Sequence, residues 1–315
     1  MGTTDPALPL RGHYIGGREV ESLSDGASIE VVNPTTGRAI ARISHGGAVD
    51  VDRAYGAARS AFEGAAWGGL SVRARARLVN RIADAFETHL EELYQLETLN
   101  NGRPITETRA QLARLPDFFR YNAGLALARR DAVMPVEGPY LAYTLRTPIG
   151  VVANCTPFNH PLMILCKSLA AVLASGCTTV VKPSEYTPLT TLRLAQIFSE
   201  AGLPDGVFNV VTGLGPTTGK AMAGHPGFAK FVLTGGTEAG RIAGGLAGAH
   251  FARQTLELGG KTGVIVCEDY DVEQAVNYAA FGAFIAAGQT CVCASRHIVH
   301  RSIYDAFVEG LARKA

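Results

Sequence analysis

Charge of one sign does not dominate this chain of 315 residues: 29 Lys and Arg stand against 28 Asp and Glu, a formal net charge of +1. A balance of this kind excludes electrostatics as the main attraction to nucleic acid or to an anionic membrane surface. Long apolar runs are missing too. The most apolar stretch, Leu162 to Ser175, is too short to span a bilayer and carries Lys167. The opening residues, MGTTDPALPLRGHYIGG, lack a basic segment followed by an apolar one, so they do not read as a secretory signal. The six cysteines are Cys155, Cys166, Cys177, Cys267, Cys291 and Cys293. They form no CxxC pair, and no histidines gather at metal-ligand spacing, so no metal is expected. Internal repeats and low-complexity tracts are absent as well. The expectation is a reduced, cytoplasmic protein with free thiols.

Glycine is abundant, with 36 residues, well above the usual share. Such an excess suits tight turns and close approach of backbone to a ligand. At 47% hydrophobic and 18% charged the composition is that of a globular protein, and the length suggests two domains.

Short β-like runs, Ser28 to Val32 and Ala39 to Ile43, flank Asn33-Pro34 and Gly37 and predict a hairpin. Helical patterns follow. Val51 to Phe62 gives one helix, Ser71 caps a long one that stops near Asn101-Gly102, and a third runs from Pro104 to about Gly124. Tyr140 to Leu145 and Gly150 to Ala153 read as strands. Beyond them helices (161–175, 189–201, 216–224, 237–249) alternate with strands (178–182, 207–212, 229–233, 255–258). This βαβα order predicts a parallel sheet with helices on its faces. Strands at 264–267 and 296–300, with helices at 271–287 and 303–313, complete the chain.

Three segments carry chemistry. Cys291, in Gly288-Gln289-Thr290-Cys291, lies where a helix ends and the chain turns toward a strand. Such a turn exposes a thiol and leaves N–H groups to stabilise an oxyanion. Glu257, between Leu256 and Leu258 and ahead of Gly259-Gly260-Lys261, reads as a strand carboxylate desolvated on one side. That makes it a candidate general base with a raised pKa, the alternative being an ordinary solvent-facing strand residue. Asn159, in Thr156-Pro157-Phe158-Asn159-His160-Pro161, lies between a strand and a helix, the ligand end of an α/β sheet. Its amide donates without titrating. Cys293 reads as a packed spectator thiol, though a disulfide with Cys291 is conceivable from the spacing.

Taken together these segments resemble the NAD(P)-dependent aldehyde dehydrogenase superfamily. TPFNHP, VVKPSEYTPL, GLPDGVFNVVTG, LTGGTEAG, LELGGK and GQTCVCASR occur in the family's order, and Glu257 precedes Cys291 by 34 residues. The resemblance implies that Cys291 is the nucleophile, Glu257 the activator of hydrolytic water, and Asn159 the side-chain half of the oxyanion site. It implies a dinucleotide, NAD in preference to NADP, gripped at its ribose by Lys182 and Glu185. Around it would lie Thr156, Pro157, Phe158, Ser184, Gly215, Thr234, Gly235, Gly236, Gly240, Leu258 and Gly259. His160, Thr290 and Val292 would face the substrate. Two positions depart from the pattern: Gly236 stands where the family has a serine, and His160 replaces an aromatic residue beside the oxyanion Asn.

The implied fold is α/β and aldehyde-dehydrogenase-like. Residues 1–125 and 149–260 would form a doubly wound, parallel-sheet dinucleotide domain. Residues 126–148 would be a β-arm that pairs subunits into a homodimer or homotetramer, and 261–315 an incomplete α/β catalytic domain. Family members run well beyond this length, so the resemblance also implies a piece of a longer enzyme. The implied reaction oxidises an aldehyde to a carboxylic acid through a thiohemiacetal and a thioester. One alternative is acyl transfer to coenzyme A, which dispenses with the hydrolytic Glu. Another is an inactive relative that keeps the fold for binding or scaffolding.

Overall fold

A computed structural model describes residues 8–24 and 26–315; residues 1–7, on which part of the N-terminal reading rests, lie outside them. The chain opens with three very short strands, β1 (Leu10–Arg11), β2 (His13–Ile15) and β3 (Arg18–Val20). The β2–β3 turn is Gly16-Gly17, both at positive φ (62° and 79°), which two-residue hairpin turns favour. The expected hairpin follows as β4 (Ser28–Asn33) and β5 (Arg38–Ser44), with a bulge between Val31 and Val32. β1 adds to β5 in parallel.

Five helices come next: α1 (Ala48–Glu63), α2 (Val72–Thr88), α3 (Leu90–Asn101), α4 (Ile105–Leu112) and α5 (Leu115–Ala128). The Ser71 hydroxyl accepts from the Ala74 N–H at 3.2 Å, as an N-cap should. The long helix expected from Ser71 to 101 is broken at His89 (φ −101°, ψ 13°), whose ring Nδ1 lies 2.8 Å from the Ala85 carbonyl. The break lets α3 turn away to pack on α7 (Leu189–Glu200), while α2 packs on α5. The third expected helix is also two. Pro116 sits in the first turn of α5, has no N–H to give α4, and starts a new helix instead. Gly102, at φ 76°, closes α3.

An exposed two-stranded hairpin, β6 (Val133–Met134) with β7 (Ala142–Tyr143), precedes the main sheet. The main sheet is built from β8 (Val151–Cys155), α6 (Pro161–Ser175), β9 (Thr178–Lys182), α7, β10 (Phe208–Val210), α8 (Lys220–Gly224, entered through a π turn at Gly215–Gly219), β11 (Lys230–Thr234), α9 (Thr237–Gly248) and β12 (Arg253–Glu257). Its seven strands run in the order β12-β11-β8-β9-β10-β2-β3. The first five are parallel, and β2 and β3 are antiparallel additions. Apolar residues on both strand faces suit a sheet covered on two sides. One cluster joins Val181 and Val210 to α2, α5, α6 and α7. The other joins Val180, Val151 and Phe231 to α1, α8 and α9.

From β8 the chain moves to β9 and β10 on one side, then returns to place β11 and β12 on the other. The reversal leaves a crevice beyond the C-terminal ends of β8 and β11, where doubly wound sheets bind ligands.

The last segment has its own small core. β13 (Gly263–Val266) and β14 (Arg296–Val299) pair in parallel, bridged by α10 (Val272–Phe284) and followed by α11 (Tyr304–Lys314). Val266, Ala275, Val276, Ala279 and Phe307 pack together. The sequence extends α10 to Ala287, but it ends at Phe284, because Ala286 and Ala287 adopt φ 53° and 54° in a turn that redirects the chain.

Candidate active site

A cavity of about 690 Å³ occupies the crevice. Each wall follows from a local device. β8 delivers Cys155, Thr156, Pro157, Phe158 and Asn159, where the strand stops and Pro161 begins α6. β9 delivers Lys182, and the turn after it Ser184 and Glu185; β11 delivers Thr234, and the turn after it Gly235 and Gly236. The Gly236 position is open: a Cβ there would meet nothing within 4 Å. Ile242, Ala243 and Leu246 of α9 supply an apolar floor, and Gly215, Gly259, Thr290 and Cys291 close the rim.

Lys182 is buried, and its Nζ donates to Glu185 Oε2 at 3.0 Å and to the Pro183 carbonyl at 3.1 Å. The pair therefore presents a carboxylate whose charge is partly met from beneath. Thr156 contributes to the cavity wall, but its Oγ1 is buried and has no hydrogen-bond partner. The Phe158 ring meets Tyr186 edge to face at 6.2 Å.

Two thiols line the cavity and differ sharply. Burial pushes Cys155 up to about 11, with Lys182 opposing only in part, so it stays a neutral thiol. Cys291 is exposed and uncrosslinked. Residues 291–292 form a turn, not a strand, so Cys293 does not share a strand face with Cys291. The Cys293 Sγ instead donates to the Ala283 carbonyl at 3.0 Å, the place of a packed spectator.

Asn159 is half-buried. Its Oδ1 accepts from the His160 N–H at 2.9 Å, and its Nδ2 donates to the Gln289 carbonyl at 2.6 Å. The amide thus reaches the chain two residues before Cys291. His160 is buried and does not line the cavity. Its Nδ1 lies 3.2 Å from Gln111 Oε1 and its Nε2 3.3 Å from Thr290 Oγ1. Burial, then the Arg103 and Lys167 cations, lowers its pKa to about 4, so it is neutral at physiological pH.

Glu257 ends β12 opposite Thr234 and is exposed; it, Leu258, Gly240 and Val292 are not in the cavity wall. The desolvation expected for Glu257 is therefore not met in this structure. Leu256 packs against the core on the opposite strand face. Gly240 serves packing: a Cβ there would sit 2.5 Å from Leu258 Cδ2, so the glycine lets α9 close on the strand end. The sequence reading missed Arg103 and Gln111, which stand behind His160. Arg103 and Gln111 are eight residues apart, but the contact that gives them a role, Gln111 to His160, spans 49 residues, and no local pattern marks it. Among the described residues no cluster of His, Cys, Asp and Glu could hold a metal ion, and no helix is long and apolar enough to cross a membrane.

Fold and site define an α/β protein with a ligand crevice at the sheet's switch point and an exposed thiol in its wall. The Aldehyde dehydrogenase family profile matches residues 21–315, and the chain belongs to that family. Aldehyde dehydrogenase family 2 member B4, mitochondrial, of Arabidopsis thaliana is 42% identical over 94% of this chain and 55% of its own length. The putative aldehyde dehydrogenase DhaS of Bacillus subtilis is 40% identical over 96% of this chain and 61% of its own. Among solved structures, an NAD+ complex of the aldehyde dehydrogenase from Bacillus cereus superposes with a TM-score of 0.93 at 38% identity, covering 97% of this chain and 62% of that one. PnpE from Pseudomonas sp. WBC-3 gives 0.92 at 44% identity, over 96% and 62%. The chain thus spans little more than half to three-fifths of the length of these relatives.

Proposed function

We propose that the protein oxidises an aldehyde to a carboxylic acid, with NAD(P) as hydride acceptor. The observation that carries this reading is that one exposed thiol, Cys291, shares a single cavity with the Lys182–Glu185 pair and the glycine turn at the start of α9. A dinucleotide fits the residues present. The open Gly236 position and the helix start behind it suit a pyrophosphate. The Glu185 carboxylate in the cavity wall suits a ribose diol. When bound, NAD(P) supplies an acceptor for the hydride that leaves the substrate carbon.

The chain's own residues do the rest. The Cys291 thiolate attacks the carbonyl carbon, forming a C–S bond and an oxyanion. Asn159 Nδ2, swung from the Gln289 carbonyl, and the Cys291 N–H hold that oxyanion. After hydride loss a thioester remains on Cys291. Glu257 takes a proton from water, which attacks the thioester, and the C–S bond breaks to give the acid. Release to water is favoured over transfer to coenzyme A because the Glu257 carboxylate is present. The exposed β6–β7 hairpin, with Val133 and Tyr143 outward, is the surface we assign to pairing with a second subunit.

NADH formation measured against a panel of aldehydes tests this reading. Wild-type protein should reduce NAD, and Cys291→Ala should abolish reduction while leaving NAD binding intact. Glu257→Gln should release about one equivalent of NADH per site and then stall, as split covalent steps require. Turnover retained by Cys291→Ala, or no NADH from wild type with any aldehyde, overturns the proposal.

A further inference from the structure

Behind the cavity a buried arginine connects to the turn that carries Cys291 by two separate routes. Arg103, between α3 and α4, is almost wholly buried. Its Nη1 donates to Gln111 Oε1 at 2.7 Å, and its Nη2 lies 3.6 Å from Glu107 Oε2. Because an arginine only donates, the Gln111 atom facing it must be the oxygen. The same oxygen faces His160 Nδ1 at 3.2 Å, so that nitrogen carries the imidazole proton. A neutral ring then has a bare Nε2, and the Thr290 hydroxyl 3.3 Å away donates to it. One donor at the root thus fixes the direction of every hydrogen bond up to the residue before Cys291.

The second route runs through Glu107, whose Oε2 accepts from the Ala286 N–H at 2.9 Å. Ala286 and Ala287 hold positive φ, a conformation costly for a residue with a Cβ and kept only where contacts impose it. Glu107 on one side and His160 on the other therefore grip the two ends of 286–290. Both lead back to Arg103.

We propose that Arg103, acting through Gln111 and His160 and through Glu107, is the positioning residue that fixes the 286–290 turn and so aims the Cys291 thiol. The catalytic consequence rests on the aldehyde-oxidation reading; the anchoring of the turn does not.

The test compares Gln111→Met, which removes the shared acceptor, with Gln111→Glu, which keeps it. Three quantities are read: amide hydrogen exchange over 286–291, the rate of the NADH burst, and the Kd for NAD. In Gln111→Met exchange should rise and the burst rate fall about tenfold each, the factor carried by ~1.4 kcal/mol or one lost hydrogen bond, with Kd unmoved. Gln111→Glu should behave as wild type. Unchanged exchange in the Met variant, an unchanged burst despite faster exchange, or equal impairment in the Glu variant would overturn the proposal. If Gln111→Met does not fold, seen as labelling of the buried Cys166, Thr290→Val decides: it removes only the hydroxyl, and unchanged exchange at 286–291 refutes the clamp. A wild type that makes no NADH sinks the functional reading, while the exchange comparison still settles the anchoring.

Discussion

Individual side chains decide which cofactor the cavity accepts. Glu185 places a carboxylate at the cavity wall, anchored 3.0 Å from Lys182. It can accept from a ribose diol and repels a 2′-phosphate, so NAD should be preferred to NADP. Glu185→Gln removes the repulsion and leaves Lys182 unopposed. The kcat/KM ratio of NAD to NADP should then fall about tenfold, the effect of ~1.4 kcal/mol; an unchanged ratio would strip Glu185 of that role. Lys182 and Glu185 were legible in the sequence through the family resemblance of KPSE, and Cys291 through its turn together with that resemblance; the structure brings all three to one cavity. His160 was half legible. Its position next to Asn159 could be read, but its partners Gln111 and Thr290 are 49 and 130 residues away, and no pattern links them. Glu257 shows how a local cue misleads. Flanking leucines suggested desolvation, yet alternation along a strand sends neighbours to opposite faces, so inward-facing leucines on both sides imply an outward glutamate. The structure has Glu257 exposed and Leu256 partly buried against the core.

Among the elements, those with a full helical period or a continuous apolar strand were readable to within a few residues: α6, α7, α9, β8 and β9. The breaks were not. At His89 no glycine or proline marks the interruption; a side-chain bond to Ala85 and divergent packing of α2 and α3 make it. The strands β1 to β3 are too short to show a period, and they exist because β5 and β10 offer edges to pair with. The end of α10 is a third case. Ala286 and Ala287 are good helix formers, and contacts to the rest of the molecule override that propensity. Strain of this kind can be relieved. Ala287→Gly should stabilise the fold by up to ~1 kcal/mol, read as a higher urea midpoint, because glycine takes positive φ at no steric cost. A lower midpoint would mean that the alanine conformation is not strained and that its cost had been misassigned.

Over the whole molecule, buried ionisable groups give folding a signed dependence on pH. His13 on β2 accepts the Thr212 N–H at Nδ1 (3.2 Å) and sits 3.7 Å from Asp50 of α1. Protonation would place a proton against that N–H. Burial, opposed by Asp50, lowers its pKa to about 4, and burial lowers His160 to about 4 as well. Between the ordinary histidine value of 6.5 and about 4 the unfolded chain takes up two protons that the folded chain refuses, so stability is lost as pH falls through that window. Glu97 has the opposite sign. Burial, opposed by Arg103, raises it from 4.5 to about 7, so its folded form keeps a proton that the unfolded form gives up, and stability is lost as pH rises across that range. Two histidines outweigh one carboxyl between pH 4.5 and 6.5, where the windows overlap, and the net slope favours the higher pH. Denaturant midpoints taken from neutrality down to pH 5 should therefore fall. Removing the opposing group in Glu97→Gln should steepen the fall, and removing one driver in His13→Asn should shallow it. A Glu97→Gln protein whose midpoint fell less steeply than wild type would show that the buried carboxyl holds no proton at neutral pH and that Arg103, not burial, governs its charge.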